Sequence, residues 1–204
     1  MPEAVRTRLR GGLPLDDHEF DRLYPDWVRA LSEVHWTPVS VARRAAELLV
    51  THPGTRVLDM GSGVGKFCLV GALTTAGVFY GIEQRFHFVR VARATALTLG
   101  LKSARFLHGN LLALDWSGFH AFYLFNPFAE NLASVMAGID ATVDLSIDLF
   151  HAYVRFVRQQ LHQAGRGTRV VTYHGFGGEM PPSYRLELEE ESGTERLELW
   201  IKRT

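Results

Sequence analysis

The sequence contains one cysteine, Cys68, in 204 residues. A single cysteine excludes a disulfide within the chain and fits a reducing compartment. Because Cys68 lies in an apolar stretch that predicts a helix, we expect a packed thiol rather than a reactive one.

The chain also lacks an excess of charge of either sign, because 22 Lys and Arg residues balance 22 Asp and Glu residues. Proteins that bind nucleic acid along a whole face are usually basic. The composition therefore argues against nucleic acid and favours a small molecule or a protein side chain as the partner.

Long apolar runs are missing as well. No stretch approaches the roughly 20 apolar residues that span a bilayer, and the opening MPEAVRTRLRGG has no apolar core of a secretory signal. These absences predict a cytoplasmic protein without a membrane segment. No convergent set of histidines is visible, and we predict no metal site.

Apolar runs of strand length alternate with helical patterns from residue 56 onward. The strand-like runs are RVLDM, VFYGIE, ARFLHGNLL, AFYLFNPF and RVVTYH, and SYRLELEEESGTERLELWIKR predicts an antiparallel hairpin around its Ser-Gly pair. Such alternation predicts an α/β fold, an open and mostly parallel sheet with helices on both faces.

The N-terminal part has a different character. Residues 1–15 are rich in Arg and Gly and are predicted to be mobile, whereas the signals from 16 to 50 are helical. Thr37 is predicted to cap a helix that has Pro38 at its first position.

Three glycines, Gly61, Gly63 and Gly65, follow the first predicted strand in VLDMGSGVGKFCLVGA, residues 57–72. In open parallel sheets ligands bind beyond the carboxyl ends of the strands. Glycines there let the backbone contact a ligand and let the next helix pack closely. The dinucleotide-binding spacing G-x-G-x-x-G would require a third glycine at Lys66, so this turn does not match it.

The pattern D-x-G-x-G-x-G, which begins at Asp59, resembles the first motif of class I S-adenosylmethionine-dependent methyltransferases. The resemblance implies a Rossmann-like, doubly wound, mostly parallel seven-stranded sheet and S-adenosylmethionine as the cofactor. Glu83 ends the second predicted strand, where an acid binds ribose hydroxyls. The other positions that the resemblance assigns to the cofactor are Thr37, Asp59, Gly61, Ser62, Gly63, Gly65, Gln84, Asn110, Leu111 and Asn126.

The resemblance also implies a role for several of these residues. Asp59 would organise the loop or contact the methionine amino group, and Leu111 would pack on the adenine ring. Asn110 stands where the family often has an Asp that contacts adenine, and a turn role for Asn110 is the alternative.

The fourth predicted strand ends in YLFNPF, which resembles the [DN]-P-P-[YF] motif of amino-methylating members with one proline missing. In that motif Asn126 and the Pro127 carbonyl would orient the acceptor nitrogen, with Phe128 as an apolar wall. The alternative is a strand end with a proline stop. An oxygen acceptor would need a base, and His174 after the fifth strand is the best-placed candidate.

The segment EVHWTPVSVARRAAELL resembles the part of several class I methyltransferases that closes over the cofactor, so His35, Trp36 and Thr37 are candidates for a lid. The alternative is a pair of amphipathic helices packed on the edge of the sheet, and the two roles are compatible. The predicted organisation is an arm and helical lid in residues 1–50 and a methyltransferase domain in 51–204. DMGSGVGKFCL with GIE is also similar to the cofactor half of Dot1-type methyltransferases.

The predicted function is methyl transfer from S-adenosylmethionine to a nitrogen or oxygen of a small molecule or protein. The alternatives are an NAD(P)-dependent oxidoreductase and a module that binds S-adenosylmethionine without catalysis.

Overall fold

A single seven-stranded sheet organises the chain in the computed structural model, which describes residues 1–132, 139–192 and 195–204. The strands lie in the order β3-β2-β1-β4-β5-β7-β6. Their bounds are β1 Arg56–Met60, β2 Val78–Glu83, β3 Ala104–His108, β4 Ala121–Phe125, β5 Arg169–Tyr173, β6 Tyr184–Ser192 and β7 Glu195–Lys202.

The first five strands pair in parallel, and β7 joins β5 antiparallel and forms a hairpin with β6. This arrangement confirms the predicted doubly wound α/β fold. The predicted hairpin is present, although its turn at residues 193–194 lies outside the described residues. The strand order reverses between β1 and β4, and that reversal creates a crevice beyond their carboxyl ends.

Helices cover both faces of the sheet. They are α1 Pro2–Arg10, α2 Asp17–Asp21, α3 Asp26–Arg29, α4 Ser32–His35, α5 Val39–Leu49, α6 Lys66–Thr74, α7 Phe86–Thr98 and α8 Ile147–Gln163. Helix α6 is buried from Lys66 through Leu73, because α1 and α5 pack on the side that faces away from the sheet. Its composition is accordingly apolar all round, as expected for a fully covered helix. The helices of the described residues include none that is both long enough and apolar enough to cross a membrane.

Two local predictions for the N-terminal part are wrong. Residues 2–10 form α1 instead of a mobile arm, because Val5 and Leu9 lie one turn apart and are both buried in the core. Helix α5 begins at Val39 rather than at Pro38, and Thr37 does not cap it. The Thr37 hydroxyl is hydrogen-bonded to the Tyr123 hydroxyl at 3.1 Å instead.

Candidate functional site

A cavity of about 360 Å³ opens beyond the carboxyl ends of β1, β2 and β4. The predicted site residues that line it are Gly61, Gly63, Glu83, Gln84, Leu111, Asn126, Pro127 and Phe128. They come from separate segments of the chain, and the parallel strand order brings them together at one edge of the sheet. The lid candidates His35 and Trp36 line it as well, and the remaining lining residues were not predicted from the sequence.

The Glu83 carboxylate is held by two backbone groups at the base of this cavity. The Gly63 N–H donates to Glu83 Oε2 at 3.0 Å, and the Arg85 N–H donates to Oε1 at 2.7 Å. Burial raises the pKa of this carboxyl above its ordinary value. Each oxygen retains a further lone pair, so the fixed carboxylate can accept hydrogen bonds from a diol in the cavity.

The glycine turn approaches other parts of the protein closely. Gly63 has φ +52°, and a Cβ there would lie 2.5 Å from the ring of Trp36. The Trp36 indole N–H donates to the Val28 carbonyl at 3.0 Å, so the ring is fixed between the N-terminal helices and the turn. Gly63 therefore lines the cavity and also lets Trp36 of the N-terminal segment pack against the turn.

The prediction that Gly65 lines the cofactor does not fit the structure. A Cβ at Gly65 would lie 2.3 Å from the ring of Phe106 on β3 and 3.1 Å from Ala92 on α7. Gly65 faces the protein interior and is not part of the cavity wall. With φ +79°, it lets α6 start in close contact with the sheet.

A smaller polar cavity of about 40 Å³ lies on the other side of the turn. It shares four lining residues with the large cavity, His35, Trp36, Gly61 and Phe125. Its remaining lining residues are Thr37, Asp59, Ser62, Lys66 and Phe67. The predicted cofactor residues Thr37, Asp59 and Ser62 thus belong to this second space.

Asp59 is buried in the second cavity. Burial raises its pKa from 3.8 to about 7. The Cys68 thiol donates to Asp59 Oδ2 at 3.5 Å, and burial raises the pKa of that thiol well above its ordinary value. Cys68 is therefore the packed, unreactive thiol that the sequence predicts.

Asn126 and its neighbours form the wall beside the glycine turn, since a Cβ at Gly61 would lie 3.3 Å from Pro127 Cβ. Asn126 has φ +40°, a region that asparagine tolerates better than most residues, and its N–H donates to the Gly175 carbonyl at 3.1 Å. The Phe128 ring stacks on Tyr153 with centroids 4.9 Å apart. The end of β5 thus fixes Asn126 in a strained conformation beside the cavity, a feature that is frequent at functional sites.

His174 is not brought into the cavity. Its Nδ1 lies 3.6 Å from Glu195 Oε1 on β7, and its ring contacts Tyr173. The cavity wall includes Asn126 but not His174. The position of His174 therefore does not support the expectation that it acts as the catalytic base. Its side chain lies next to Glu195 on β7 and not in the cavity.

Asn110 takes the turn role that the sequence left open. Its Oδ1 accepts from the Leu112 N–H at 2.9 Å, and its Nδ2 donates to the Tyr153 hydroxyl at 2.8 Å and to Gln84 Oε1 at 3.2 Å. These bonds use both amide hydrogens, so Asn110 holds the wall together rather than offering donors to a ligand.

Several lining residues were missed at the sequence level. Arg85 lines the cavity, and its guanidinium pairs with Glu130 at 2.7 Å and Asp140 at 3.2 Å. Its position two residues after the strand-ending acid was the available signal. Lys66 was visible only as a charged residue at the start of an otherwise apolar helix.

Among the described residues, no group of three or more His, Cys, Asp or Glu is placed to hold a metal ion.

Comparisons with known proteins give the following similarities. No family model matches the chain. The 23S rRNA (uracil(1939)-C(5))-methyltransferase RlmD of Nitrosococcus oceani is 32% identical over 120 residues, which cover 56% of this chain and 26% of that protein. The chain thus spans about a quarter of that curated relative.

Two solved structures share the architecture. An RNA methyltransferase from Salinibacter ruber in complex with S-adenosyl-L-homocysteine has a TM-score of 0.60 at 21% identity, covering 82% of this chain and 93% of that chain. TrmN from Thermus thermophilus has a TM-score of 0.61 at 22% identity, covering 87% and 52%. At these identities the two structures establish the fold.

The expectation that nucleic acid is not a partner is wrong. It rested on zero net charge, yet similar proteins are named as methyltransferases of 23S rRNA and of RNA. Net charge describes the whole surface. It carries little information about an enzyme that engages a nucleic acid only near one base.

Asp59→Asn tests the buried carboxyl through pH. Because its pKa is raised from 3.8 to about 7, the folded protein loses stability as the pH rises through that interval. Replacement with Asn should raise the free energy of unfolding by about 1–3 kcal/mol more at pH 8 than at pH 5.

Thermal unfolding of both proteins at the two pH values measures the difference, and the exposed Asp144→Asn is the matched control. An equal change in Tm at both pH values would show that Asp59 does not titrate in this range.

The fold assignment rests on agreement between three independent features. The sheet order runs β3-β2-β1-β4-β5-β7-β6, the glycine turn follows β1, and an acid ends β2 beside that turn. The two solved methyltransferases share this fold over more than four-fifths of the chain. The chain has the Rossmann-like fold of the class I S-adenosylmethionine-dependent methyltransferases, as its glycine motif predicts.

Proposed function

We propose that the chain is an S-adenosylmethionine-dependent methyltransferase whose cofactor binds across the two cavities. The observation that carries the proposal is the Glu83 carboxylate, which the Gly63 N–H fixes at 3.0 Å and which faces a cavity of about 360 Å³. That volume lies within the range of small-molecule sites, about 300–1,000 Å³.

The residues present fit the cofactor. Glu83 would accept hydrogen bonds from the ribose hydroxyls, and the buried Leu111 would pack against the adenine ring. Asp59 and Thr37 in the polar cavity would hold the amino-acid portion. When bound, the cofactor supplies a methyl group on a positively charged sulfur.

The alternatives fit the site less well. The position of the third glycine of a dinucleotide-binding turn holds Lys66, which is 3% exposed and bound to carboxylates. A module that binds the cofactor without catalysis would not require the strained Asn126 beside the cavity.

We further propose that the acceptor is a nitrogen of an RNA base. Similar proteins are named as RNA methyltransferases. RlmD is named for C5 of uracil, a weakly nucleophilic carbon that an added nucleophile such as a thiolate can activate. Cys68 is the single cysteine in the sequence and is buried against Asp59, away from the cavity wall. This chain therefore suits a nitrogen acceptor better than a ring carbon.

Positioning is the chemistry that this chain would contribute. The Asn126 side-chain oxygen and the Pro127 carbonyl would accept hydrogen bonds from an amino group and direct its lone pair toward the methyl carbon. The acceptor nitrogen, held by these two oxygens, would take the methyl group that the cofactor supplies and would release one proton to solvent. Such orientation supplies a large part of the acceleration in displacement reactions.

The N-terminal segment would act as a lid. His35 and Trp36 line both cavities, and Trp36 touches the glycine turn. Residues 1–50 would therefore close the cofactor site and exclude water from the reacting centre.

Glu83→Gln tests the cofactor half of the proposal. We expect the wild-type protein to bind S-adenosylhomocysteine in titration calorimetry and the variant to bind at least tenfold more weakly, because a hydrogen bond to a charged group contributes about 1.5–3 kcal/mol. The exposed Glu189→Gln is the matched control. Absence of binding by the wild-type protein, or preferential stabilisation by NAD(P), would refute the assignment.

Asn126→Ala tests the acceptor half. Unmodified ribosomal and transfer RNA transcripts are incubated with labelled S-adenosylmethionine, and the labelled nucleosides are identified by mass spectrometry. We expect methyl transfer to a base nitrogen, a loss of about 100-fold in the variant, and an affinity for S-adenosylhomocysteine within about twofold of wild type.

Asn126→Asp keeps the acceptor oxygen and should retain more activity than the alanine variant. Methylation of uracil C5, or an unchanged rate in Asn126→Ala, would contradict the proposed role.

A further inference from the structure

Lys66 places a buried ammonium between the glycine turn and the N-terminal helices. Lys66 is the first residue of α6 and is 3% exposed. Its Nζ lies 2.6 Å from Asp17 Oδ1 and 2.8 Å from Asp21 Oδ1, both on α2. Burying such charges is costly unless they are paired, so Lys66 binds the N-terminal segment to the core.

The same lysine also lines the small polar cavity. Asp59 and Ser62 are further wall residues of that space. The buried Ser62 hydroxyl has no hydrogen-bond partner and lies over Gly81 on β2. An unpartnered buried hydroxyl is uncommon in folded proteins. The cavity thus combines a cation, Lys66, with a carboxyl group, Asp59.

This combination is complementary to an α-amino acid head group, which carries a carboxylate and an ammonium on one carbon. A volume of about 40 Å³ holds roughly three water-sized groups. The cavity adjoins the larger one at Gly61 and Trp36. A ligand with a nucleoside at one end and an amino acid at the other can therefore extend from the large cavity into the small one.

The two carboxylates on Lys66 are not equivalent. Asp21 is 6% exposed in its side chain, whereas Asp17 is 47% exposed and can turn toward water. One ammonium beside two carboxylates leaves an excess negative charge, which would repel a third carboxylate. Binding of an anionic group at Lys66 is favourable only if Asp17 moves away.

We propose that the Lys66 ammonium binds the α-carboxylate of the cofactor, and that Asp17 forms an ion pair with Lys66 until the cofactor binds. This inference rests on the proposed function. It gives Asp17 and Lys66 opposite effects on affinity, since one competes with the ligand and the other binds it. It also links cofactor binding to the N-terminal segment, because Asp17 accepts the Val39 N–H at the start of α5.

Titration calorimetry with two ligands tests the inference. S-adenosylhomocysteine carries the carboxylate, and its decarboxylated analogue S-adenosyl-3-thiopropylamine differs only by lacking it. We expect the wild-type protein to prefer S-adenosylhomocysteine at least tenfold. Lys66→Met should remove that preference and change the affinity for the analogue less than twofold. Asp17→Asn should tighten S-adenosylhomocysteine about threefold or more and leave the analogue unchanged.

Two further variants make the test robust. Lys66→Met leaves Asp21 as a buried carboxylate without its lysine, so Lys66→Met/Asp21→Asn removes both charges together if the single variant does not fold. Asp26→Asn on α3 changes an exposed acid of the same segment and should alter neither affinity.

The outcomes separate the possible failures. Equal binding of the two ligands by the wild-type protein, or equal weakening of both by Lys66→Met, would overturn the role of Lys66. Weaker binding of S-adenosylhomocysteine by Asp17→Asn would overturn the role of Asp17. Failure of the wild-type protein to bind either ligand would refute the proposed function itself.

Discussion

The two backbone hydrogen bonds to the Glu83 carboxylate determine the geometry of the site. They connect the glycine turn after β1 to the end of β2, with Gly63 donating at 3.0 Å and Arg85 at 2.7 Å. Once the turn is held there, the positive φ of Gly63 presents a bare surface to Trp36, and the N-terminal helices can close against it. The cavity, its carboxylate and its lid candidate therefore depend on one local interaction rather than on separate devices.

Burial of acids is the energetic consequence of this arrangement. Asp59 and Glu83 lie near each other beneath the turn, and burial raises the pKa of both carboxyls. Lys66 is held nearby by Asp17 and Asp21. A ligand that carries a sulfonium, an ammonium and a carboxylate would satisfy groups of both signs in this region. The folded protein thus buries ionisable groups at a cost in free energy, and a ligand with groups of opposite charge can reduce that cost.

The sequence predicted the sheet and part of the cavity wall, because strand ends in a parallel sheet meet at one edge whatever the details of side-chain packing. It failed for residues whose orientation depends on neighbours that are distant in the sequence. Gly65 was expected to face a ligand and faces Phe106, and His174 is drawn toward Glu195. The spacing of a motif gives the position of a residue in the sequence. It does not show which residue from another segment will contact it in the folded protein. The inference that nucleic acid is not a partner failed for a related reason. The net charge of the whole chain carries no information about the charge at one small site.

We expect a bound nucleoside to occupy the large cavity that Gly61, Gly63 and Glu83 line. A crystal structure of the protein with S-adenosylhomocysteine measures this directly. We expect both ribose hydroxyls within about 3 Å of the Glu83 carboxylate oxygens, which is ordinary hydrogen-bond distance, with adenine beside Leu111. A ligand bound elsewhere, or bound with its ribose turned away from Glu83, would contradict it.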